Sequence, residues 1–532
     1  MLYGVWPYGV FRKLGIPGPM PLPFIGTAFG FRYGRSNFDM ACYKKYGKMW
    51  GTYDGRRPIL AITDPEIIKI VLIKESYSTF LNRGNFAPRG QLKTSIVTAE
   101  DEQWKRIRTV LSPTFTSGKL KMMFPIIQNY VKNLLVLLQK KADREELVEV
   151  KKIFGAYSMD VVTSTSFGVD TDAMNNPKDP FVQQAQKLMT ADFLSPLFIL
   201  LYVVPWLTPL LEKMNVNIFS NESVEFFARS ITKLKEKRAQ EGPKGRVDFL
   251  QLMIESQNSL TSHEMNGVNH TYKGLTDSEI LAQAIIFIFA GYETISSALS
   301  YLTYELAIHP DIQQKLQEEI DIVLPNKAPI TYDALMQMEY LDMVLSETLR
   351  KHPSTGRLQR VCKKTIKLNG ITIPKGMFIM IPPTILHYDP EYWPEPDQFR
   401  PERFSKEVKE KINPFTYLPF GAGPRNCIGM RFALLTMKAA VARLMQHFTF
   451  QPCKETQIPL VLATKGIFRR PTKPITLKIL VWKEGRKERR EGKGREGERK
   501  GERKGKGRKM MERKGMGKER NRKGREEKER EG

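Results

Sequence analysis

Residues 420–430 read FGAGPRNCIGM, and this stretch sets one cysteine, Cys427, between a glycine-rich turn and a regular helical pattern over 430–447. Glycine is favoured where the backbone takes a positive φ angle or approaches another group closely. The pattern therefore predicts a loop that presents the Cys427 sulfur at the start of a helix.

Cys427 differs from the other cysteines of the chain in its sequence setting. The chain has four, Cys42, Cys362, Cys427 and Cys453, and no two of them lie close in sequence. This spacing gives neither a disulfide framework nor a zinc motif of the CxxC kind, and it is typical of a reducing compartment. We interpret the other three as buried or half-buried free thiols.

Charge is concentrated at the C-terminal end. Residues 483–532 contain 23 Lys and Arg against 12 Glu, so they contribute much of the formal net charge of +27. With no aromatic residue and few apolar ones, this segment cannot bury enough surface to offset its ordering entropy, and we predict a disordered basic tail. The moderately basic remainder favours an anionic membrane or an acidic protein partner, and does not by itself indicate nucleic acid.

The sequence predicts three regions. Residues 1–12 are a short aromatic and apolar piece that resembles the remnant of an N-terminal membrane anchor, residues 13–482 have evenly spread hydrophobic residues that indicate one large continuous core, and residues 483–532 are the tail. No stretch reaches the 18 consecutive apolar residues expected of a membrane span.

Local patterns between these ends predict a mainly α fold with small β-sheets. Alternation over 49–63 predicts a hairpin that turns at Asp54-Gly55, and 366–382 carries further turns at Asn369-Gly370 and at Pro374-Lys375-Gly376. Helical patterns cover 310–323 and 430–447. The polar stretch 255–274 is predicted to be a surface loop.

A long helix is predicted from Thr276, where Thr-Asp-Ser-Glu forms a capping-box pattern, to His309 before Pro310. Its middle is apolar on all sides, which indicates burial. The motif AGYET (290–294) then places a glycine, an acid and a threonine inside this apolar region.

Two interpretations of AGYET remain open. In the structural one, Thr294 returns its hydroxyl to the Ala290 carbonyl and Gly291 permits a close helix crossing. In the functional one, the same bond loosens the helix, Gly291 leaves room for a ligand, and Thr294 with Glu293 provides a proton path into a dry pocket.

A further motif, ETLR, places Glu347 and Arg350 on one helix face at i, i+3 spacing. Downstream, FRPERF (399–404) supplies Arg403. We predict that Arg403 completes a buried three-way network in which the carboxylate is satisfied from two sides.

Together these motifs carry a resemblance. FGAGPRNCIGM is similar to the haem-binding signature of the cytochrome P-450 superfamily, and AGYET, ETLR and PERF precede it in the family's order. Stretches such as KLGIPGP, FGAYSMDV and GPRNCIGMRFAL resemble family three, subfamily A. The resemblance implies the cytochrome P-450 fold, with a long central helix over a haem and the cysteine loop beneath it.

The resemblance also implies site roles. Cys427 would be the axial thiolate ligand of the iron in haem b, iron protoporphyrin IX. Thr294 and Glu293 would be the alcohol and acid that route protons to the oxygen site. The residues implied to bind the cofactor are Arg83, Trp104, Arg108, Arg360 and Arg425, together with Phe420 and Gly429 of the signature.

Substrate contacts follow from the same resemblance. They are Phe86, Thr98, Phe193, Phe198, Ile286, Phe289, Ala290 and Ile467. Three departures from the family pattern bear on substrate range and coupling, since Ser354-Thr355-Gly356 replaces a more apolar run, Lys351-His352 follows ETLR, and Ile295 stands where a second threonine is common.

The implied activity is a monooxygenase that inserts one oxygen atom from O₂ into lipophilic small molecules such as steroids and xenobiotics. Electrons would come from NADPH through NADPH-cytochrome P-450 reductase, with cytochrome b5 as a second partner. Lys105 and Arg106 are candidate docking residues. The implied location is the cytosolic face of the endoplasmic reticulum membrane, although most of the family's N-terminal anchor is missing from this sequence.

Two other classes of protein remain as alternatives. One is a haem-thiolate protein without oxygen activation, such as an isomerase or a gas-binding module, and the presence of Thr294 and Glu293 argues against it. The other is a basic interaction protein that acts through its tail, which predicts that deletion of 483–532 abolishes function.

Overall fold

The structure is a computed structural model. It describes residues 2–84, 90–176, 178–188, 200–201, 204, 207–214, 219–241, 248–264, 274–463 and 469–482. Residues 1–480 form one compact unit.

Helices dominate this unit. The α-helices are α1 (Leu2–Val5), α2 (Val10–Lys13), α3 (Arg35–Tyr46), α4 (Pro65–Lys69), α5 (Asp101–Leu111), α6 (Ser117–Asp143), α7 (Val150–Phe167), α8 (Pro180–Leu188), α9 (Thr208–Lys213), α10 (Asn221–Glu241), α11 (Phe249–Glu264), α12 (Asp277–Ile308), α13 (Pro310–Val323), α14 (Tyr332–Gln337), α15 (Glu339–Lys351), α16 (Pro383–Leu386), α17 (Lys406–Lys409) and α18 (Met430–Met445). Short 3₁₀ turns occupy Trp6–Gly9, Ala28–Tyr33, Gly90–Thr94, Ser112–Phe115, Pro325–Lys327 and Pro401–Phe404, and a π turn occupies Ile70–Lys74.

The strands form three small sheets. They are β1 (Met49–Asp54), β2 (Arg57–Ile62), β3 (Val148–Glu149), β4 (Leu358–Val361), β5 (Ile366–Leu368), β6 (Ile371–Ile373), β7 (Phe378–Ile381), β8 (Phe448–Pro452) and β9 (Thr476–Val481). One sheet has the order β1-β2-β7-β4, with β2 and β7 parallel and the other pairs antiparallel; the others are β3-β9-β8 and β5-β6. The predicted mainly α fold with small sheets is confirmed.

Local turn chemistry explains the predicted hairpins. β1 and β2 pair from Met49 opposite Ile62 to Asp54 opposite Arg57, and Gly55 takes a φ of 60° between them. β5 and β6 turn through Asn369 and Gly370, both with positive φ angles that these two residues tolerate well.

Helix α12 lies at the centre of the unit and joins two parts of the core. Ile285 and Ile288 in its first half pack in one cluster, and Leu299 and Leu302 in its second half pack in another. Within the part of the chain that is described, this is the one helix long and apolar enough to cross a membrane, but 67% of its most apolar window is buried inside the protein. Its apolar surface is therefore that of a core helix.

The predicted loop at 255–274 is wrong in its first part. Helix α11 continues to Glu264, and residues 265–273 lie outside the described residues. Ser, Gln and Asn disfavour helix by only a few tenths of a kcal/mol each, so polarity alone did not mark the end of this helix.

Candidate active site

The loop that carries Cys427 is closed by its own backbone. The Cys427 N–H donates a 2.9 Å hydrogen bond to the Phe420 carbonyl, and Gly421 and Gly423 between them take φ angles of 69° and 74°. Helix α18 starts directly afterwards, with the Ala433 N–H donating to the Gly429 carbonyl at 2.8 Å. The sequence prediction of a turn that presents a cysteine before a helix is confirmed.

Gly423 is required for a reason that the sequence did not indicate. A Cβ atom at this position would collide with the Leu72 carbonyl of the π turn. A Cβ at Gly429, by contrast, would approach only Phe115, at 4.0 Å. Glycine at position 423 therefore lets the cysteine loop pack against the protein's own backbone.

The Cys427 thiol is accessible but lies within the protein. Its side chain is exposed, while burial is the largest influence on it and raises its pKa. The Gly429 N–H and the charges of Arg83 and Arg108 act in the opposite direction. The sulfur is therefore accessible to a ligand although much of its surroundings is protein.

Four arginines converge on this loop, although they come from separate parts of the chain. Arg83 donates to the Arg425 carbonyl at 3.1 Å, and Arg108 donates to the carbonyl and side-chain oxygens of Asn426 at 3.0 and 2.8 Å. Arg425 donates to the carbonyls of Leu81 and Ala99 at 2.9 and 2.6 Å.

Trp104 and Arg360 complete this group. The Arg425 guanidinium lies over the Trp104 ring at 4.3 Å from its centroid. Arg360 donates to the Gln359 carbonyl at 2.7 Å, and its Nε atom is buried without a hydrogen-bond partner.

Among the described residues, the arginine group forms no ion pair with a carboxylate, although Glu100 and Asp101 lie near enough to Arg425 to favour its charge. Within the described residues, its hydrogen bonds all go to neutral oxygens. Burial, with repulsion from Arg83, lowers the pKa of Arg360 to about 9, and burial with repulsion from Arg83 and Arg360 lowers that of Arg425 to about 8. Buried cations are normally paired, so this group fits an anionic ligand.

One side of the central helix is accessible at Ala290 and Thr294, and we call this surface the open strip. Ala290 is exposed and Thr294 half-buried, whereas most neighbouring residues of α12 are buried. The Thr294 hydroxyl donates to the Ala290 carbonyl at 2.7 Å, as both interpretations of AGYET require. The predicted capping box at Thr276 and Glu279 is present at the start of the helix.

Gly291 supports the structural interpretation of that motif. A Cβ atom here would lie 2.5 Å from Cγ2 of Val162 on α7. The Ser158 hydroxyl of α7 also donates to the Gly291 carbonyl at 2.8 Å. Gly291 therefore allows α7 and α12 to cross closely.

The Glu293 side chain forms ion pairs with two cations. It is buried, and its Oε1 atom forms ion pairs with Lys151 at 3.3 Å and with Arg470 at 3.0 Å. Both partners are distant in sequence and neither belongs to a recognisable motif, so sequence reasoning did not find them.

The predicted substrate contacts divide into three groups. Phe86, Phe193, Phe198 and Ile467 lie outside the described residues. Ala290 is exposed and Phe289 is half-buried, edge-to-face with Phe219 at 5.7 Å. Ile286 is buried in the core, and the Thr98 hydroxyl donates to the Leu92 carbonyl at 2.5 Å.

Glu347, Arg350 and Arg403 lie together and are buried. Arg350 donates to both carboxylate oxygens of Glu347 at 2.7 and 2.8 Å, and Arg403 Nε lies 3.4 Å from the same carboxylate. Arg350 also donates to the His387 carbonyl at 2.7 Å. Every charge in this network has a partner, as a buried network requires.

The two candidate docking residues differ in availability. Arg106 pairs with Glu279 and donates to the Gly274 carbonyl at 2.7 Å, so it holds the capping-box carboxylate at the start of the central helix. Lys105 pairs with Glu102 near the surface. An open groove of about 630 Å³ runs beside the cysteine loop and is lined by Tyr77, Arg108, Thr109, Ser112, Pro113, Thr116, Pro424 and Asn426.

The geometry fits haem b. The arginines have no carboxylate ion-pair partner in the part of the chain that the structure describes, and the buried Arg360 Nε has no hydrogen-bond partner there; the two propionates of haem would supply negative charge at this place. Cys427 offers a soft ligand that a metal would deprotonate.

Comparisons with known proteins agree with this geometry. A family model described as Cytochrome P450 matches residues 16–479. The chain is 59% identical to cytochrome P450 3A9 of Rattus norvegicus over 479 residues, 90% of this chain and 94% of that protein. It is 59% identical to cytochrome P450 3A12 of Canis lupus familiaris over 478 residues and 57% identical to cytochrome P450 3A5 of Homo sapiens over 478 residues, in each case 90% of this chain and 93% of that protein. The chain therefore belongs to the cytochrome P450 family, within its 3A subfamily.

Proposed function

We propose that Cys427 is the axial thiolate ligand of haem b in this monooxygenase, and that residues 13–482 form its catalytic domain. As a member of its family, the chain inserts one oxygen atom from O₂ into steroids and xenobiotics, with electrons that originate from NADPH. One observation carries the assignment of the site, namely an accessible, desolvated cysteine beside four arginines, two of them buried, that form no ion pair with a carboxylate among the described residues.

The arginines would hold the propionates. Arg360 offers its unpaired Nε, and Arg83, Arg108 and Arg425 contribute positive charge around the same loop, with Trp104 supporting the Arg425 guanidinium. Charge-assisted contacts from a planar guanidinium are well suited to carboxylates. Phe420 and Gly429 would shape the loop at its two ends.

When bound, the haem supplies the iron and thiolate chemistry that activates O₂. The protein's own contribution is the open strip at Ala290 and Thr294. The Thr294 hydroxyl donates its hydrogen bond to the Ala290 carbonyl, so its lone pairs can accept a hydrogen bond from water and hold that water next to the strip as a proton source.

Lipophilic substrates would bind along the same strip. Phe289 and Ala290 provide accessible apolar surface on α12. The resemblance adds Thr98 and Ile286, and it adds Phe86, Phe193, Phe198 and Ile467 outside the described residues. An apolar wall with few polar groups suits ligands of this class.

Electron delivery requires a redox partner, and we assign this role to NADPH-cytochrome P-450 reductase, with cytochrome b5 as a second partner. The groove beside Pro424 and Asn426 is the docking position, since it adjoins the cysteine loop and includes Arg108. Lys105 lies on the same helix as Arg108 and adds positive charge.

We assign the protein to the cytosolic face of the endoplasmic reticulum membrane. Apolar side chains near the N-terminus are strongly exposed, including Trp6 at 82% and Met20 at 88%. Tryptophan is favoured at membrane interfaces, so this region would contact lipid alongside the predicted anchor remnant at 1–12.

The test is the absorbance spectrum of the ferrous protein under carbon monoxide. Wild type should show the Soret band of a thiolate-ligated haem, and Cys427→Ser should lose it. Cys453→Ser is the matched control and should retain the band, because Cys453 is bonded within its own turn by Thr456. A thiolate spectrum that survives Cys427→Ser would refute the assignment.

A further inference from the structure

Gln283 is a buried polar residue in the first half of the central helix, with 0% of its surface exposed. Its carboxamide oxygen accepts a hydrogen bond from the Ile96 N–H at 2.6 Å. Its carboxamide nitrogen donates to the carbonyls of Thr94 at 2.8 Å and Glu279 at 3.0 Å. One side chain of α12 therefore holds the backbone of a segment that lies 187 residues earlier in the sequence.

That segment, residues 94–99, is also held by an arginine of the cysteine loop. The Ile96 carbonyl accepts from Nη1 of Arg425 at 3.4 Å, and the Ala99 carbonyl accepts from Nη2 at 2.6 Å. The N–H of Ile96 is thus bonded to Gln283 and its carbonyl to Arg425. We call residues 94–99 the bridging turn, because it joins the central helix to the cysteine loop.

The bridging turn is closed by bonds within itself. The Ser95 carbonyl accepts from the N–H groups of Thr98 at 3.0 Å and Ala99 at 2.8 Å, and the Ser95 and Thr98 hydroxyls lie 2.8 Å apart. Ile96 is buried, whereas Val97 and Thr98 are half-buried. Because the turn is internally bonded, a contact that fixes Ile96 also fixes the side chains of Val97 and Thr98.

Gln283 lies on the same face of the central helix as the open strip. An α-helix has 3.6 residues per turn, so Ala290, seven residues later, is about two turns and roughly 10 Å further along the same face. Ile96 packs in one core cluster with Ile286, and Val97 and Phe289 pack against that cluster. The bridging turn therefore lies at the N-terminal end of the face that carries the open strip.

We infer that Gln283 is a positioning residue for substrate. Its carboxamide fixes the bridging turn as the wall at which the open strip ends, and Val97 and Thr98 are the side chains that the wall presents. The ligands that depend on it are lipophilic molecules long enough to extend from Ala290 to the wall, such as steroids. A small ligand that binds at the iron alone does not reach the wall. This inference rests on the proposed function of Cys427 and the open strip.

The test compares Gln283→Met with Gln313→Met in the haem-loaded full chain. Methionine keeps the length of the side chain and removes its polar atoms. Gln313 is the matched control, because it is also buried, at 1% exposed, and makes three bonds of the same kind. It donates to the carbonyls of Leu306 at 3.1 Å and Phe450 at 3.0 Å, and it accepts from the Phe450 N–H at 2.8 Å.

The measurements are the thermal unfolding midpoint, the affinities for testosterone and imidazole from the shift of the Soret band, and kcat and KM for testosterone with NADPH and the reductase. Both variants should lower the midpoint, because each leaves buried backbone groups without partners. Only Gln283→Met should weaken testosterone binding and raise KM, by about three- to ten-fold, the range expected for the loss of one or two hydrogen bonds.

The small ligand and the turnover number show whether the effect is confined to the wall. For Gln283→Met, imidazole affinity and kcat should stay within about two-fold of wild type, since a lost binding contact raises KM and leaves kcat unchanged. Hydrogen exchange of a peptide that contains Ile96 should be faster in this variant and unchanged in Gln313→Met. If Gln283→Met does not load haem, Gln283→Asn, whose amide is one methylene group shorter, takes its place in the same measurements.

A purely structural role of Gln283 predicts a different pattern. The Gln283 variant would then match Gln313→Met in testosterone affinity and KM, or would lose testosterone and imidazole affinity equally, and either outcome would overturn the inference. The ferrous carbon monoxide spectrum separates the two proposals. A missing thiolate band in wild type refutes the haem assignment, whereas a normal band with unchanged testosterone binding in the Gln283 variant refutes only the positioning role.

Discussion

The backbone N–H of Leu418 donates a 2.8 Å hydrogen bond to Nε2 of His387. This bond requires the proton to be on Nδ1, which donates to the Arg350 carbonyl at 3.0 Å. One neutral imidazole therefore joins the Glu347–Arg350–Arg403 network to the loop that leads to Cys427.

His387 should make the protein sensitive to acid. Burial lowers its pKa to about 3, so between pH 6.5 and 3 the unfolded chain binds a proton that the folded one does not. Stability is therefore lost as the pH falls below 6.5, by about 1.4 kcal/mol per pH unit from this group once the unfolded histidine is protonated. The unfolding midpoint measured from pH 7 to pH 5 checks this slope.

The control for that slope is His387→Gln, which keeps polar groups at the site but does not titrate. Its midpoint should be lower at pH 7 and should fall less steeply on acidification. Burial alone would raise the pKa of Glu305, but its bonds to His352 and Lys351 outweigh burial and lower the pKa to about 2. The contribution of Glu305 to folding stability is therefore lost only below about pH 4.5. An unchanged slope in His387→Gln would contradict the assignment.

Glu347→Gln should strongly destabilise the protein. It leaves Arg350 and Arg403 buried without their carboxylate, which costs about 3–5 kcal/mol for a buried pair. Lys121→Gln is the comparison, because its ion pair with Asp333 is exposed and should cost at most about 1 kcal/mol. Chemical unfolding measures both, and equal effects would show that burial of the network is unimportant.

Gly423→Ala should disrupt the cysteine loop beyond the cost of its φ angle. Gly376 also has a positive φ, of 87°, but a Cβ there meets nothing within 4 Å, so Gly376→Ala should cost only about 1–2 kcal/mol of conformational strain. At Gly423 the Leu72 carbonyl adds a backbone collision. Haem content and the unfolding midpoint should both fall further for Gly423→Ala, and similar losses in the two variants would refute the collision.

Arg360→Met should affect the haem-free and haem-bound forms in opposite ways. In the haem-free protein Arg360 is a buried cation with an unpaired Nε, so its removal should leave stability unchanged or raise it. Haem affinity, measured by titration of the Soret absorbance, should fall because a propionate contact is lost. Arg144→Met is the control, because Arg144 is exposed, and it should leave haem affinity unchanged. Loss of stability in haem-free Arg360→Met would count against an anion-binding role.

Gly291→Ala separates the two interpretations of the AGYET motif. The added methyl group should push against Val162 and destabilise the protein by about 1–3 kcal/mol. Val162→Ala in the same chain should recover most of that loss, as the space is restored. If Gly291 instead makes room for a ligand, Gly291→Ala would fold normally and only substrate binding would weaken.

Structural features that depend on residues close together in the sequence were predicted correctly. The β1–β2 hairpin, the Asn369–Gly370 turn, the capping box at Thr276 and the loop before α18 each depend on residues a few positions apart. The end of α11 was missed, because weak propensities do not fix where a helix stops.

The amino-acid sequence by itself determined the family, through the ordered motifs that end in FGAGPRNCIGM, and with the family the mainly α fold and the cysteine loop. Only the tertiary structure decided that Gly291 serves a helix crossing, that Arg106 pairs with Glu279 at the start of the central helix, and that Glu293 faces Lys151 and Arg470. These partners lie more than a hundred residues apart along the chain, and no local pattern encodes which buried charge meets which.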